Sequence, residues 1–382
     1  MYRMLLLALL VVGCGPLAPP MTDGGSGGGS GSATGGSGGG GGSVPGGGSA
    51  TGGGATGGGG TTGGGAPDTL PNYVSVQGTP GGWALADRIP QGQRPYNYNA
   101  IRGRSSTELW VAGPFGDVWF FDGATGWTLV QDDVVGDLVY EDLAITSTGL
   151  VAVSGPERLL TCPANCNLAN SFSGGPITGK RFRKLCVRDT RLFAVGVNVS
   201  TSKGVLYEYA NAVWSEVPLP SSITALESCH VLGDGRVLLG GASLWVGTPG
   251  MTWSLEPLTP AFGLAPPVWT RMVEAEGRVF AMGTFGRIAQ RRANGTWKPI
   301  YEPSSAGTGF FDAWPLGNGD VLFVGDQPNP RVLLSGTTFT RLPDPVDFLV
   351  HGVWASDATH HWLAGERAIG VNRAAFVLEA SQ

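Results

Sequence analysis

A short apolar run that ends in glycine recurs seven times along the chain at nearly constant spacing. The runs are ELWVAG, LVAVSG, RLFAVG, RVLLGG, RVFAMG, DVLFVG and HHWLAG, and their glycines are Gly113, Gly155, Gly196, Gly240, Gly283, Gly325 and Gly365. Successive glycines lie 42, 41, 44, 43, 42 and 40 residues apart. A period in the low forties means that one structural unit is repeated, which restricts the possible folds to a few repeat architectures.

Each repeat is predicted to be a small antiparallel sheet. The runs are about five residues long, rich in β-branched and aromatic residues and surrounded by Gly and Pro, which favours strands over helices. They are apolar at successive positions, as is typical of a strand covered on both faces. A shorter strand precedes each run, and two more strands follow it. Four strands per repeat predict an all-β fold, a seven-bladed β-propeller.

An aromatic residue opens the predicted fourth strand of each repeat. These residues are Trp127, Phe172, Trp214, Trp253, Trp297, Phe339 and Phe376. A large residue repeated once per blade is expected to pack between blades, and a sugar-stacking platform is the alternative. Trp83 holds the same place in a partial unit before the first repeat. We interpret this unit as strands that close the ring against the last blade, with an eight-bladed ring as the alternative.

The amino terminus has the layout of an export signal. Arg3 precedes an apolar run, Leu5 to Val12, that is too short to cross a membrane as a helix. Val11-Val12-Gly13-Cys14 resembles the lipobox of bacterial lipoproteins. The resemblance implies that the signal peptide, residues 1–13, is removed and that Cys14 carries fatty acyl chains such as palmitate, which anchor the chain to a membrane. An ordinary signal peptide cleaved near Ala18 is the alternative.

Two further expectations concern the mature amino terminus. Gly15, rather than Asp, follows the cysteine, which by the same resemblance implies passage to the outer membrane of a bacterial cell envelope; the side that the protein faces stays open. Residues 14–67 consist largely of Gly, Ser, Thr and Ala and cannot offset the entropy of ordering. They predict a disordered tether with a reach of about 35–40 Å. The propeller domain is then expected over residues 68–382.

The composition and the motifs of the chain exclude several functional classes. A net charge of −5, with 14% charged residues, provides no basic stripe for nucleic acid. No nucleophile elbow, phosphate-binding loop or zinc-protease helix is present. The four histidines, His230, His351, His360 and His361, are expected to be core or surface residues. We therefore predict no catalytic residue, no metal site and no cofactor.

Four cysteines follow Cys14, an even number in a chain with an export signal, which favours disulfides. Cys162 and Cys166 flank a turn in TCPANCN and are predicted to form one bond. Cys186 and Cys229 precede their blade glycines by ten and eleven residues, which places them on the innermost strands of adjacent blades. A second disulfide between them is possible there, and two buried free thiols are the alternative.

Two short segments resemble parts of sialidase-type propellers. Gly250-Met251-Thr252-Trp253 and Gly295-Thr296-Trp297 resemble the end of the Asp-box, although Val246 and Thr248 stand where the box has Ser and Asp. Arg88-Ile89-Pro90 resembles the segment in which sialidases place one arginine against a substrate carboxylate. The resemblance implies a propeller of that kind, whereas the repeat itself explains Pro90 as another exit from a fourth strand.

The connectivity of a four-stranded blade predicts which end of the ring binds a ligand. In a four-stranded blade, the loop from strand two to strand three and the loop between blades emerge at one end, and the longest loops of this chain fall there. Aromatic and arginine residues typical of binding hot spots are assigned to that end: Phe115, Arg158, Trp269, Phe285, Arg287, Trp314 and Trp354. For Trp314 and Trp354, plugging of the central channel is the alternative.

These patterns predict a membrane-anchored, non-catalytic binding or scaffold lipoprotein whose partner is an envelope protein or a glycan. A glycan-active enzyme of the envelope, a sialidase-like hydrolase or a lyase, is the alternative and depends on fold analogy alone. The ligand itself, the oligomeric state and any bound calcium are not determined by the sequence.

Overall fold

The computed structural model describes residues 98–132, 138–259, 261–262, 266–303, 309–326, 331–342, 348–369 and 372–381, with the backbone of Trp83–Leu85. Cys14, the tether and Arg88 lie outside the described residues, so the expectations about them stay predictions. All described residues belong to one compact unit, 63–382. Within the described residues, no helix is both long enough and apolar enough to span a bilayer.

The described chain is almost entirely β-structure, with one short 3-10 turn at Thr284–Gly286. The strands of the amino-terminal part are β1 (Trp83–Leu85), β2 (Ala100–Ser105), β3 (Glu108–Ala112), β4 (Asp117–Asp122), β5 (Gly126–Asp132), β6 (Asp142–Ile145), β7 (Val151–Cys162), β8 (Pro176–Arg188), β9 (Arg191–Asn198), β10 (Lys203–Ala210) and β11 (Val213–Val217). The next are β12 (Leu226–Val231), β13 (Val237–Gly241), β14 (Leu244–Gly247), β15 (Trp253–Glu256), β16 (Trp269–Ala275), β17 (Arg278–Gly283), β18 (Ile288–Arg291) and β19 (Trp297–Tyr301). The last are β20 (Phe310–Pro315), β21 (Val321–Gly325), β22 (Arg331–Ser335), β23 (Thr338–Arg341), β24 (Phe348–Ala355), β25 (His360–Ile369) and β26 (Asn372–Ser381).

These strands form six antiparallel sheets, where the repeat period predicted seven blades. Four sheets follow chain order, β2 to β5, β12 to β15, β16 to β19 and β20 to β23. The strands β6 to β11 make a single six-stranded sheet because β7 pairs with β8 as well as with β6. The last sheet has the order β1-β26-β25-β24.

The first strands of successive repeats contact one another in a closed ring. The contacts run from β2 through β6, β8, β12, β16 and β20 to β24, and β24 contacts β2 again. The ring is closed by the amino-terminal strand, as predicted, because Trp83 on β1 lies opposite Ala380 on β26. The prediction that Phe376 opens a fourth strand is wrong. Phe376 lies on β26, the third strand of the last sheet, and Trp83 opens the fourth strand, β1.

The recurring glycine marks a close approach between the first two strands of a repeat. A Cβ atom on Gly196 would overlap the carbonyl oxygen of Arg181, and the same clash recurs at Gly241, Gly283 and Gly325. In the fourth repeat, Gly241 rather than the predicted Gly240 holds this position, because Gly241 lies opposite Leu226 as Gly196 lies opposite Phe182. The glycines are therefore required by packing between neighbouring strands.

The outer-strand aromatic side chains that the structure describes pack against the cores between strands. Trp297 is fully buried, and Trp127 and Phe172 are nearly so. Trp297 packs in one cluster with Trp269 and Phe262, and Phe339 packs against Phe323. Their role in the structure is thus packing, each aromatic ring filling the space beside its sheet.

Candidate binding cavity in the central channel

The register of the first strands determines which side chains enter the middle of the ring. A one-residue irregularity recurs in these strands, for example between Trp269 and Arg271 and between Phe310 and Asp312. Arg271 and Asp312 each lie opposite the residue that precedes the blade glycine, and Asp142 on β6 has the same register position. Lys184 on β8 corresponds to them after an identical shift. One layer of the channel therefore collects charged residues.

These residues form a buried network with Arg102, which we call the channel ion cluster. Arg102 donates through Nη1 to Asp312 Oδ2 at 2.9 Å and through Nη2 to Asp312 Oδ1 at 3.2 Å. Arg271 Nη1 donates to Asp142 Oδ2 at 3.0 Å, and its Nε lies 2.9 Å from Asp312 Oδ1. Lys184 Nζ lies 3.9 Å from Asp142 Oδ1. Because β2 and β20, and likewise β6 and β16, are not neighbours in the ring, these side chains meet across the channel.

Both carboxylates of the channel ion cluster are ionised. Burial alone would raise the pKa of Asp312, but Arg102 and Arg271 outweigh it and hold that pKa well below its usual range. Burial likewise opposes ionisation of Asp142, and Lys184 followed by the two guanidinium groups lowers its pKa. Backbone groups assist, since the Leu185 N–H donates to Asp142 Oδ2 at 2.9 Å. Three cations and two carboxylates leave the cluster with one excess positive charge.

A cavity of about 420 Å³ opens beside the channel ion cluster. It lies at the end of the channel where the hairpins between first and second strands emerge, since the ends of β8, β12, β16 and β20 line it. Its polar lining includes Arg102, Arg188, His230, Arg271 and Glu274, and its apolar lining includes Met272 and Trp314. We call this space the channel cavity.

Three of these side chains are linked on one wall of the channel cavity. Glu274 Oε2 accepts a hydrogen bond from Arg188 Nη1 at 2.7 Å and lies 3.0 Å from His230 Nε2. The hydrogen bond with His230, followed by that with Arg188, lowers the pKa of Glu274 to about 2 against the opposing effect of burial. Glu274 is therefore a carboxylate at neutral pH. A histidine paired with a carboxylate in a cavity can orient a ligand, or accept a proton when the other ring nitrogen is unprotonated.

The structure contains both predicted disulfides. Cys162 and Cys166 are bonded, with their Cα atoms 5.6 Å apart. Cys186 and Cys229 are bonded as well, also with a Cα separation of 5.6 Å, so the alternative of two free thiols is wrong. The second bond joins β8 to β12, and both of its cysteines line the channel cavity. It fixes one wall of the cavity covalently.

The structure separates the residues that had been assigned to one ligand face. Phe115 and Phe285 do lie in turns between second and third strands, at the end of the ring opposite the channel cavity, whereas Arg158 lies within β7 and pairs with Pro176 on β8. Phe285 is 41% exposed. Trp269 and Arg287 are 2% and 1% exposed, with Arg287 Nη2 paired to Glu302 Oε1 at 3.1 Å. Trp269 and Arg287 belong to the packed interior and present almost no surface to a ligand.

Trp314 and Trp354 are placed at the wrong end of the ring by the sequence prediction. Each lies near the end of a first strand, β20 or β24, beside the hairpin to the second strand. Trp354 is 4% exposed and packs against Trp362, whereas Trp314 is half-buried and lines the channel cavity. Trp314 Nε1 donates to the Ala355 carbonyl at 3.0 Å, which fixes the indole ring. The channel alternative describes Trp314 better, whereas Trp354 belongs to the buried cluster that contains Trp362.

The sequence prediction missed Arg188, His230, Arg271 and Glu274. One signal was available, since charged residues recur on strands that are otherwise apolar and are expected to be covered on both faces. Their side-chain contacts join residues that are 41 (Arg271 with Asp312) to 129 (Arg271 with Asp142) positions apart in the chain, and spacing alone does not show which of them meet. Among the residues that the structure describes, no group of three or more His, Cys, Asp or Glu side chains could hold a metal ion.

Comparison with known proteins identifies the fold. No family model matches the chain, and no curated protein matches it. Solved structures do match: a streptogramin B lyase has a TM-score of 0.59 at 11% identity, covering 82% of this chain and 99% of that one. The chain has a β-propeller fold. The WD40 β-propeller domain of Doa1 matches with a TM-score of 0.60 at 11% identity over 79% of this chain and 97% of that one.

A third similar structure is YCF48 bound to the D1 peptide, with a TM-score of 0.56 at 13% identity, covering 80% of this chain and 96% of that one. The propellers that resemble this chain thus include a lyase, a WD40 domain and a peptide-binding protein. Identities this low establish the β-propeller fold and transfer no activity.

Proposed function

We propose that this protein is a binding propeller that takes a small ligand, or a short segment of a partner, into the channel cavity and performs no catalysis. The observation that supports this proposal is the cavity itself, about 420 Å³ in volume and lined by a few polar groups beside Trp314. Ligand sites commonly have this size and combine apolar walls with a small number of fixed polar groups. The partner is an envelope protein or a glycan, and nucleic acid is disfavoured by the net charge of −5.

The proposed ring has seven blades. Seven first strands contact one another in a closed cycle, and seven glycine runs recur in the sequence. The six-stranded sheet divides into two repeats if β7 is read as two strands separated at Glu157, where φ is +54°. A bridge between Thr161 and Ser173 then supplies the fourth strand of the second repeat. β1 completes the last sheet rather than starting an eighth.

We also propose that the propeller is anchored to the outer membrane by lipid on Cys14 and displayed on the tether of residues 14–67. The lipobox-like Val11-Val12-Gly13-Cys14 supports this proposal. Cys14→Ser should abolish the mass increment of the acyl chains and release the protein from the membrane fraction. Intact-mass spectrometry and fractionation check both outcomes. An unchanged mass and unchanged membrane association of the Cys14→Ser protein would contradict the anchor.

Photo-crosslinking tests which end of the propeller binds. Benzoylphenylalanine is placed at Asp234, in the exposed hairpin after β12 at the same end of the ring as the channel cavity, or at Phe285, at the opposite end. Val213, exposed on the outer strand β11, is the control position. Irradiation of cells should give a defined adduct from Asp234 that neither of the other positions gives. An adduct obtained from Phe285 alone would contradict the proposal.

The alternative is an enzyme that uses the channel cavity, and one observation favours it. His230 and Glu274 form a histidine–carboxylate pair, 3.0 Å apart, in the cavity wall. Such a pair can act as a general base. Incubation with envelope glycans and peptides, followed by mass spectrometry, should show no conversion. Turnover that is lost in His230→Ala would establish the enzyme in place of the binding protein.

A further inference from the structure

Two arginines in the channel cavity retain unused hydrogen-bond donors. Arg271 uses Nη1 on Asp142 and Nε in its ion pair with Asp312, and within the described residues its Nη2 has no partner. Arg188 uses Nη1 on Glu274 and on the Val231 carbonyl, and no described residue accepts a hydrogen bond from its Nη2 or Nε. Side-chain exposures of 12% for Arg271 and 37% for Arg188 place one deep and one at the mouth.

The same cavity also offers acceptors that are not used. Glu274 receives both of its contacts through Oε2, which leaves Oε1 without a partner among the described residues. Glu276, exposed in the hairpin after β16, lines the cavity further toward solvent. Both carboxylates are near Arg271 in the chain. Arg271 and Glu274 are three residues apart on β16, a span of about 10 Å, and Glu276 follows directly after that strand.

The charges around the cavity balance, and this limits the chemistry of its ligand. Four cations (Arg102, Lys184, Arg188 and Arg271) face four carboxylates (Asp142, Asp312, Glu274 and Glu276) across the cavity and the channel ion cluster. A polyphosphate or a polycation is disfavoured, because the cavity has no excess of the opposite charge to attract it. A ligand with one carboxylate and several N–H donors would find a partner for each of these groups.

Trp314 adds a third requirement. Its ring is fixed by the hydrogen bond to the Ala355 carbonyl, and the Arg102 guanidinium lies 5.1 Å from the ring centroid. The apolar surface that this ring presents to the cavity suits an aliphatic or aromatic group. A volume of about 420 Å³ suits a ligand of a few amino-acid residues.

We propose that the channel cavity binds the free carboxylate of a peptide-type ligand, with the carboxylate at Arg271 Nη2, its N–H groups at Glu274 and Glu276, and an apolar side chain against Trp314. This inference rests on the proposed binding function of the cavity and adds the chemical class of the ligand. The source is either a short free peptide or the carboxyl terminus of a protein. A buried guanidinium with an unused donor accounts for selection of a carboxylate over an amide.

Methionine methyl NMR on the full chain tests the inference at the cavity itself. The chain has six methionines; Met272 lines the cavity, Met282 is buried in the sheet and Met251 is 72% exposed. Signals are assigned by single Met→Leu substitutions. The probes are mixtures of free tripeptides, N-acetyl tripeptides with a free carboxylate, their carboxyl amides, and N-acetylglucosamine oligomers.

Carboxylate peptides should shift Met272 and leave Met251 and Met282 unchanged, and the amides should bind at least ten-fold more weakly. Free and acetylated peptides of equal affinity would indicate a protein carboxyl terminus as the source, whereas loss of binding on acetylation would indicate a free peptide. Equal binding of acid and amide, or a Met272 shift with the glycan oligomers alone, would overturn the carboxylate inference and leave the cavity function standing.

Variants locate the carboxylate. Arg271→Gln should weaken binding of the carboxylate peptide by about ten- to a hundred-fold and bring its affinity close to that of the amide. Because Arg271 also pairs with Asp142 and Asp312, Arg188→Gln is the second variant, and it should weaken binding by a smaller factor with the fold intact. Arg278→Gln, on the same end of the ring but bonded to the Gly319 and Gly336 carbonyls outside the cavity, is the matched control. Unchanged affinity in both cavity variants would overturn the proposal.

An extract of the bacterial envelope distinguishes failure of the carboxylate inference from failure of the proposed binding function. If the extract shifts Met272 while none of the peptides does, the cavity binds a ligand of another class and only the carboxylate inference is wrong. If neither the extract nor any probe shifts Met272, the proposed binding function is wrong as well.

Discussion

Asp312 is the residue at which the interior of the ring is most dependent on charge pairing. Its carboxylate is 1% exposed and receives Arg102 on both oxygens and Arg271 on one. Burial opposes ionisation, and the two guanidinium groups reverse that effect. Since the same arginines hold Asp142, the four groups stabilise one another or fail together. Loss of one carboxylate leaves buried cations with an incomplete set of partners.

Asp312→Ala should therefore lower the free energy of unfolding by about 3–5 kcal/mol, because it removes a counterion from two buried arginines. Denaturant titration of the purified chain measures the change. Asp234→Ala is the control, since Asp234 pairs with Arg236 in an exposed hairpin and its loss should cost less than about 1 kcal/mol. Similar losses in both variants would show that the channel ion cluster contributes no more than a surface pair.

Glu274 predicts a pH dependence of stability with a definite sign. Its pKa falls from the ordinary value of 4.5 to about 2 in the folded chain, so its contribution is complete above pH 4.5 and is lost as the pH falls toward 2. The shift corresponds to about 3 kcal/mol, and screening by solvent at this partly exposed pair reduces it to about 1–2 kcal/mol.

The measurement compares the native chain with Glu274→Gln by denaturant titration at several pH values between 7 and 2. The native chain should be the more stable at pH 7, and the difference should shrink below pH 4.5. Glu276→Gln, an exposed neighbour on the same hairpin, should change stability by less than about 0.5 kcal/mol at pH 7. A difference between native chain and Glu274→Gln that stays constant with pH would contradict the assignment.

At the scale of the element, the glycine of the second strand is a packing requirement in several repeats. Gly196 lies opposite Phe182 at the irregularity of β8, where the first strand brings the Arg181 carbonyl against it. The next repeats show the same arrangement at Gly241, Gly283 and Gly325. A side chain at any of them must displace the backbone of the strand that lines the channel.

Gly196→Ala should destabilise the chain by about 1–3 kcal/mol, since the added methyl group overlaps a backbone carbonyl that cannot move aside freely. Gly175→Ala is the matched control, because a Cβ atom there meets nothing within 4 Å and should change stability by less than about 0.5 kcal/mol. Thermal unfolding of the two variants gives the comparison. Equal stability of both would contradict the close approach.

Strands and their repeat could be predicted from the sequence because both depend on local patterns. The apolar runs that end in Gly113, Gly283 and Gly325 include strands that the structure contains, and the closing role of the Trp83 segment followed from its match to the repeat. The division into blades was harder to predict, because β7 pairs with β8 across a repeat boundary. Pairing of this kind depends on contacts between repeats and leaves no periodic signal.

The candidate site could be predicted only in part. The position of each cysteine before its blade glycine allowed a Cys186–Cys229 bond and left free thiols as the alternative, and the structure contains the bond. The end of the ring to which Trp314 and Trp354 belong was predicted wrongly. The long loops precede the first strands β20 and β24, whereas these two residues lie near the far ends of those strands. Arg271 and Asp142 are 129 residues apart in sequence and meet only when the ring is closed, so no spacing rule finds them.

At the scale of the whole molecule, closure of the ring produces the cavity. β1 pairs with β26, the Cys186–Cys229 bond joins β8 to β12, and the channel ion cluster connects first strands across the centre. The strand pairing, the disulfide and the channel ion cluster each restrain the first strands around the cavity. A ligand that enters it therefore meets polar groups already in position, which reduces the ordering cost of binding.

Hydrogen exchange on the propeller with and without the carboxylate peptides proposed as its ligand tests the central claim most directly, since it reports on every segment without a substitution. Binding in the channel cavity predicts slower exchange in residues 185–191, 229–236 and 271–277, which form the hairpin ends of β8, β12 and β16. Exchange in residues 113–117 and 283–287, at the opposite end, should stay unchanged. Protection confined to those two segments, with the three hairpin ends unaffected, would contradict the account.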